Sequence, residues 1–314
     1  MKTRPKVSIV GSGRVGTACA IFLMMRGICD IQLIDIVQGL PQGEALDIAH
    51  AASILGIDVD IEGSNDMKDI YGSDIVIITA GFARKPGMTR EELAIENGKI
   101  VKSICEKVRE YASNSIVIVV TNPVDIMTHL ALKVLEFPRE RVIGFSGILD
   151  SGRYRYYIAK RLNISTTCVE AYVIGQHGEM MVPVISQTKV YGIPIRKILN
   201  DDEILQICEK VVKSGEEIIK LKGWSASHAV GAGVSELVDT IIRDRKRVHI
   251  VSTLLKGEYG EDDVVAEVPA LVGSRGVEKI IEIELDNLER EKFRKAIDWI
   301  RNICEKVFEK VLPS

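Results

Sequence analysis

The chain predicts a doubly wound α/β domain over residues 1–145, followed by a mixed α+β domain over residues 146–314. In the first half, short apolar runs alternate with longer segments that are apolar at every third or fourth position, the periods of strand and helix. The runs Ile75-Val76-Ile77-Ile78 and Ile116-Val117-Ile118-Val119-Val120 lack polar alternation, as strands do when helices cover both faces of a parallel sheet. A length of 314 residues exceeds one ordinary domain.

Taken in order, the strands of the first half fall at 7–10, 31–36, 58–61, 73–79, 115–121 and 141–145, and its helices at 14–26, 40–55, 89–111 and 123–135. Beyond residue 145 the texture changes. A helix is expected at 151–162, an apolar stretch at 169–174, a long helix at 201–222 and shorter strand-like runs at 248–255 and 270–273. A terminal helix spans 287–312, with Leu288, Phe293, Ile297, Ile300, Ile303, Val307 and Val311 on its apolar face. No repeat or Pro/Ser-rich linker separates the halves, so they are expected to pack closely around a cleft.

Composition excludes several classes of partner. Lys+Arg 41 against Asp+Glu 44 leaves a net charge of -3, too little positive field for nucleic acid or an anionic membrane. With aromatics at 5%, base-stacking platforms lack material. Hydrophobic residues at 46% supply a sizeable core, yet no apolar run approaches the ~18 residues of a membrane span. Gly11 to Arg14 interrupt the first apolar stretch, so no signal peptide is expected and the cytoplasm is the expected compartment. The six cysteines are scattered without CxxC pairs and read as small buried hydrophobes, not as a metal set or disulfide framework.

Gly11-Ser12-Gly13-Arg14-Val15-Gly16 fits G-x-G-x-x-G in the context that gives this pattern meaning, after an apolar strand and at the start of an amphipathic helix. Such a loop turns on its first glycine, admits a pyrophosphate at its second and packs helix on strand through its third. Asp35 ends the second strand, where a carboxylate accepts the adenosine ribose hydroxyls and repels a 2′-phosphate, favouring NAD over NADP. FAD and S-adenosylmethionine use similar loops, so the first domain alone leaves the chemistry open.

Residues able to carry chemistry cluster at predicted element ends. The loop after the fourth strand holds Arg84, Lys85 and Arg90 among glycines, a cationic segment able to close over an anionic ligand and exclude water. Asn122 follows the fifth strand in Thr121-Asn122-Pro123. Asp150 is placed as N-cap of the helix at 151–162, with Arg153 about one turn on. His177 lies in Gly175-Gln176-His177-Gly178-Glu179, after an apolar run. The other histidines, His50, His129, His228 and His249, lack such glycine framing and read as structural.

These segments together resemble the lactate/malate dehydrogenase family, most closely its lactate-dehydrogenase-like malate dehydrogenases, over nearly the whole chain. The likeness rests on Gly11 to Gly16, Asp35, the loop from Arg84 to Arg90, Thr121-Asn122-Pro123-Val124-Asp125, Leu149-Asp150-Ser151-Gly152-Arg153 and Gln176-His177-Gly178-Glu179. Gly257-Glu258-Tyr259-Gly260 and Val268-Pro269-Ala270-Leu271-Val272-Gly273 extend it, while Gln176, Glu179 and Met180 depart from the residues frequent there. The resemblance implies a Rossmann-type NAD-binding domain followed by a catalytic domain. It implies His177 as general acid/base, Asp150 as its orienting partner, and substrate contacts from Arg84, Arg90, Asn122 and Arg153. Cofactor contacts are implied at Gly11, Ser12, Gly13, Arg14, Val15, Gly16, Asp35, Thr79, Ala80, Gly81, Asn97, Thr121 and Asn122, with no metal.

Lactate-specific members usually carry glutamine where this chain has Arg84. A second guanidinium calls for a second carboxylate, so the resemblance implies (S)-malate/oxaloacetate as substrate, an L-lactate or other 2-hydroxy acid dehydrogenase being the alternative. A non-catalytic NAD-responsive protein is the reading of another class, and it predicts erosion of a residue set that is here complete. A homotetramer is implied, with a homodimer as alternative. In either case the helix at 40–55 is the expected contact element, through Ala45, Ile48, Ala49 and Ala52.

Overall fold

The computed structural model describes residues 4–82 and 89–312. The first half runs β1 (Lys6–Val10), α1 (Arg14–Arg26), β2 (Asp30–Ile34), α2 (Leu40–Leu55), β3 (Ile61–Ser64), β4 (Ile75–Ile78), α3 (Arg90–Tyr111), β5 (Ile116–Val119), α4 (Val124–Leu135) and β6 (Val142–Gly144). Its six strands lie in the order β3-β2-β1-β4-β5-β6, all parallel. β4 and β5 are buried along their whole length, which is why their sequences carry no polar alternation. The order reverses direction at β1, so the carboxyl ends of β1 and β4 flank the crevice where such sheets bind ligands.

The second half runs α5 (Gly147–Leu162), β7 (Val169–Glu170), β8 (Val173–Gly175), β9 (Met181–Pro183), β10 (Lys189–Val190), β11 (Ile193–Pro194), α6 (Asp201–Lys222), α7 (His228–Ile242), β12 (Arg247–Lys256), β13 (Asp262–Gly273), β14 (Gly276–Ile280) and α8 (Asn287–Val311). Its strands continue the sheet of the first half. β12 pairs antiparallel with β6 at Ser252 and Gly144, and β13, β8 and β9 follow, so one eleven-stranded sheet runs through both halves. A large apolar cluster runs through both halves, and a second one packs α5 against α6. A three-stranded sheet, β11-β10-β7, stands apart.

Several elements differ from the sequence reading. β2 stops at Ile34, because its partner β3 ends in register at Ser64, and Ile36 is left 91% exposed. The same register places β3 three residues later than the apolar pattern suggests. The stretch at 169–174 is two strands of different sheets, and the run at 270–273 is the tail of the twelve-residue β13. α7 escapes the pattern because Gly231 and Gly233 break its apolar face, although both are packing positions, a Cβ there meeting Ala18 and Phe145. On α8 all the named stripe is buried except Leu288, 59% exposed at the first turn. On α2, Ala45, Ile48 and Ala52 are buried in this chain's own core, so they are not a surface for another copy; the exposed apolar side chains are Leu46, Ile54 and Leu55.

Candidate active site

The glycine loop joins β1 to α1. Gly11 has φ +108°, and a Cβ on it would lie 2.6 Å from the backbone nitrogen of Ala80. A Cβ on Gly16 would lie 1.8 Å from the Gly11 carbonyl oxygen, so only glycine lets α1 come this close to the turn. Around Gly13 the same construction meets nothing within 4 Å. Gly13 is also the N-cap of α1 and offers no side-chain cap, leaving the helix's first N–H groups directed at open space. Ser12 Oγ is buried there without a hydrogen-bond partner among the described residues. Open space, uncapped amides and an orphaned hydroxyl together fit a pyrophosphate.

Asp35 is drawn against this loop. Its Oδ2 accepts the Ser12 N–H at 2.7 Å and its Oδ1 the Val37 N–H at 2.9 Å, fixing the carboxylate at the mouth of the loop where a ribose would lie. Arg14 and Val15 open α1, and the Arg14 guanidinium stacks 4.0 Å over the Trp224 ring. Thr79 donates to the Gly11 carbonyl at 2.8 Å and Thr121 to that of Ala80 at 2.8 Å, so the ends of β4 and β5 are tied to the loop. Gly81 abuts Thr121 and Asn97. Asn97, buried on α3, accepts the Phe82 N–H at 2.7 Å and donates to the Asn122 carbonyl at 2.7 Å, bracing the crevice from behind. Asn122 itself is exposed at the carboxyl end of β5. Arg84 lies outside the described residues, and of Arg90 only the backbone, which opens α3, is described.

At the seam between the halves, α5 and the end of β8 bring the predicted acid–base residues together. α5 begins at Gly147, four residues before the sequence reading, because Ser146 and not Asp150 stands at its N-cap. Asp150 is thereby carried inside the first turn, fully buried, with no capping duty. Its Oδ2 lies 2.6 Å from His177 Nδ1, and its Oδ1 accepts from Arg153 Nη1 at 2.9 Å. Burial alone would raise the Asp150 carboxyl, but the His177 imidazole and the Arg153 guanidinium hold it below the ordinary range. Burial alone would likewise depress His177, and the Asp150 carboxylate overcomes it, so the imidazole stands above its ordinary value.

Asp125, quoted above only as part of a motif, proves to be a site residue. From the first turn of α4 its Oδ2 accepts the His177 backbone N–H at 2.8 Å, and its Oδ1 accepts from Ser252 Oγ at 2.7 Å. Burial pushes it up to about 6, with the Ser252 hydroxyl and the His177 N–H opposing. Glu267, also buried, comes within 3.6 Å of His177 Nδ1. The sequence signal for it was present: a lone acid in the apolar run Val264-Val265-Ala266-Glu267-Val268. Two of the other histidines have partners of their own. His129 packs edge-on against Phe308, and His249 bonds Thr240 at 2.9 Å; burial lowers both to about 4.

A buried carboxylate that orients an imidazole and an arginine, next to a dinucleotide loop, is a constellation for proton-coupled hydride transfer on a carboxylate substrate. Residues 5–144 match the family model for the lactate/malate dehydrogenase NAD binding domain, and residues 148–311 that for the lactate/malate dehydrogenase alpha/beta C-terminal domain. The malate dehydrogenase of Pyrobaculum calidifontis is 52% identical over 95% of this chain and 96% of its own. The structure of the Aeropyrum pernix malate dehydrogenase superposes with TM-score 0.93 at 47% identity, covering 95% of this chain and 97% of that one. A lactate dehydrogenase of Cryptosporidium parvum, complexed with lactic acid and nicotinamide adenine dinucleotide, superposes with TM-score 0.95 at 34% identity, over 98% and 99% of the two chains. The chain belongs to the lactate/malate dehydrogenase family, whose NAD-dependent oxidoreductase scaffold it carries from end to end.

Proposed function

We propose that this protein is an NAD-dependent malate dehydrogenase, interconverting (S)-malate and oxaloacetate. The observation that carries the catalytic part is the sharing of one buried carboxylate, Asp150, between His177 and Arg153. NAD, held at this crevice, would supply the hydride acceptor for the alcohol carbon, and NADH the donor for the ketone. The residues for it are Gly11 to Gly16 at the pyrophosphate, Asp35 at the ribose, and Thr79, Ala80, Gly81, Asn97, Thr121 and Asn122 along the crevice.

Asp150 receives the Nδ1–H of His177, which leaves Nε2 free to take the hydroxyl proton of malate. The imidazolium so formed is stabilised by the carboxylate behind it, and in reduction it gives the proton back to the oxygen. Arg153 commits one N–H to Asp150 and keeps its others for the substrate's C1 carboxylate, fixing which face meets the cofactor. Asn122 positions the reacting oxygen, and Arg90 polarises it as the loop closes.

Preference for malate rests on Arg84. The fold does not select, since named malate and lactate dehydrogenases superpose on it equally well. Pyruvate offers no second carboxylate, and a guanidinium desolvated without one costs about 2–5 kcal/mol. The curated relatives near 50% identity carry the malate dehydrogenase name. Rates of NADH oxidation with oxaloacetate and with pyruvate test the reading: kcat/KM for oxaloacetate is expected about a hundredfold higher or more. A preference for pyruvate overturns it.

In this reading residues 1–145 bind NAD, residues 146–314 bind substrate, and the protein works in the cytoplasm as a homotetramer. The free cysteines suit a reducing compartment. The exposed Leu46, Ile54 and Leu55 of α2, with Met25 of α1, supply apolar surface for self-association. Light scattering distinguishes four copies from two or one.

A further inference from the structure

Glu267 sits at the middle of β13, opposite Ser252 of β12 and Gly175 of β8, and is fully buried. Neither carboxyl oxygen has a hydrogen-bond partner among the described residues. Its Oε1 is 3.6 Å from His177 Nδ1, the same atom that Asp150 holds at 2.6 Å. The groups around it are Asp150 and Arg153 of α5, Asp125 of α4, His177 beyond β8, and the hydroxyls of Ser146 and Ser252. From α8 the Cys304 thiol faces the Asp125 side of the cluster, and burial keeps it a thiol.

Counting charge singles Glu267 out. Among the described residues, three buried carboxyls meet at most two cations, Arg153 and a protonated His177. Asp150 is paired with both cations. Asp125 takes two donors, the His177 N–H and the Ser252 hydroxyl. Among the described residues Glu267 has no cation of its own, and no donor meets either oxygen in hydrogen-bond geometry, the Ser146 hydroxyl alone lying near enough to favour the charge; a buried carboxylate so weakly partnered is too costly to keep. Resting on the reading of His177 as the acid–base group, we infer that Glu267 is a positioning residue of this site, carried as a neutral carboxylic acid and exchanging its ionisation with the imidazole. Burial first, then the Asp150 and Asp125 carboxylates, push its carboxyl well above the ordinary range, in keeping with that geometry.

The consequence is for the pH range of the enzyme. Starting from imidazolium and neutral Glu267, the first proton lost on raising pH comes from either group. When it comes from Glu267, the new carboxylate beside Nδ1 holds the imidazolium in place, and reduction of the ketone continues. Only the second loss stops it. A glutamine at this position has no proton to give, and the imidazole alone must lose the first one.

The experiment compares the full-length enzyme with Glu267→Gln, and with Glu267→Leu should the amide fail to fold. In kcat/KM for oxaloacetate reduction, the ratio of variant to parent is expected to fall by about threefold or more from pH 6.5 to pH 9. A merely structural Glu267 gives a ratio independent of pH, and that result overturns the inference. Melting temperature supplies a readout apart from activity. A carboxyl whose folded pKa is raised contributes its full stability below the unfolded value near 4.3 and loses it as pH rises through the folded one. The variant is therefore expected to gain on the parent in melting temperature as pH increases, and a constant difference overturns the proton assignment. If no 2-oxo acid oxidises NADH, the proposed function fails, while the melting series still decides whether Glu267 holds a proton.

Discussion

Oδ2 of Asp150 lies 2.6 Å from Nδ1 of His177, across 27 residues of chain and with no water-accessible surface on the carboxylate side. The contact fixes the tautomer of the imidazole and supplies a fixed negative charge in a low-dielectric seam. Asp150→Asn keeps the volume and removes both effects. An amide that donates toward Nδ1 stabilises the wrong tautomer, and kcat is expected to fall about a thousandfold or more in both directions.

The same substitution has a signed pH signature. Burial depresses the imidazole and Asp150 raises it, with a net upward shift. Without the carboxylate the imidazole pKa drops. Oxaloacetate reduction needs the imidazolium and loses its alkaline limb to lower pH; malate oxidation needs the neutral ring and extends its acid limb to lower pH. Residual rates of Asp150→Asn measured across pH in both directions check this, and limbs that stay where the parent has them contradict the assigned partnership.

In the proposed function, Arg84 tells a C4 dicarboxylate from lactate or pyruvate. Arg84→Gln is expected to lower kcat/KM for oxaloacetate by about a hundredfold or more and to raise it for pyruvate. Equal losses on both substrates would mean that the loop closes over the substrate without reading its second carboxylate.

The first half was legible in the sequence because its signals are local. Strand, glycine turn, helix and acid follow one another within thirty-odd residues, and the contacts they make, such as Ser12 to Asp35, stay within that span. The acid–base pair needed the family resemblance, since spacing alone left Asp150 as a cap and His177 as a lone histidine. Asp125 and Ser252, 127 residues apart, are joined by tertiary structure that no period encodes. Glu267 offered one clue, a charge inside an apolar strand, without saying which groups it would face. α7 was hidden by glycines that exist for packing against Ala18 and Phe145, a requirement set by another part of the chain.

Two glycines of the phosphate loop separate folding from ligand binding. A methyl group on Gly16 meets the Gly11 carbonyl oxygen at 1.8 Å, a backbone atom that cannot step aside. Gly16→Ala is expected to destabilise the protein by about 1–3 kcal/mol or more. On Gly13 the methyl meets no protein atom within 4 Å and occupies the open space before the α1 N–H groups. Gly13→Ala is expected to melt within a degree or two of the parent while binding NADH at least about tenfold more weakly. Denaturant unfolding and fluorescence titration read the two effects apart. A Gly13→Ala protein with unchanged NADH affinity would remove the pyrophosphate from this position.

The loop is also held from the second half, through Asp239. This buried carboxylate of α7 meets Arg26 of α1 at 3.4 Å, Arg243 at 3.1 Å and Arg245 at 2.6 Å. Arg26 reaches further, to Glu236 at 2.8 Å, so the helix that starts at the phosphate loop is clamped at its other end. Neutralising the hub leaves three guanidiniums crowded together without their shared anion. The arginines are partly exposed, so the cost of Asp239→Asn is expected at about 2–3 kcal/mol, below the 3–5 kcal/mol typical of a wholly buried pair. Because α1 is fixed by α7 at this point, the loss should carry to the ligand: NADH binding weakens in Asp239→Asn, and saturating NADH recovers part of the lost stability. Urea unfolding with and without NADH measures both, and a variant as stable as the parent would show that the close packing of Gly231 on Ala18 holds the two helices by itself.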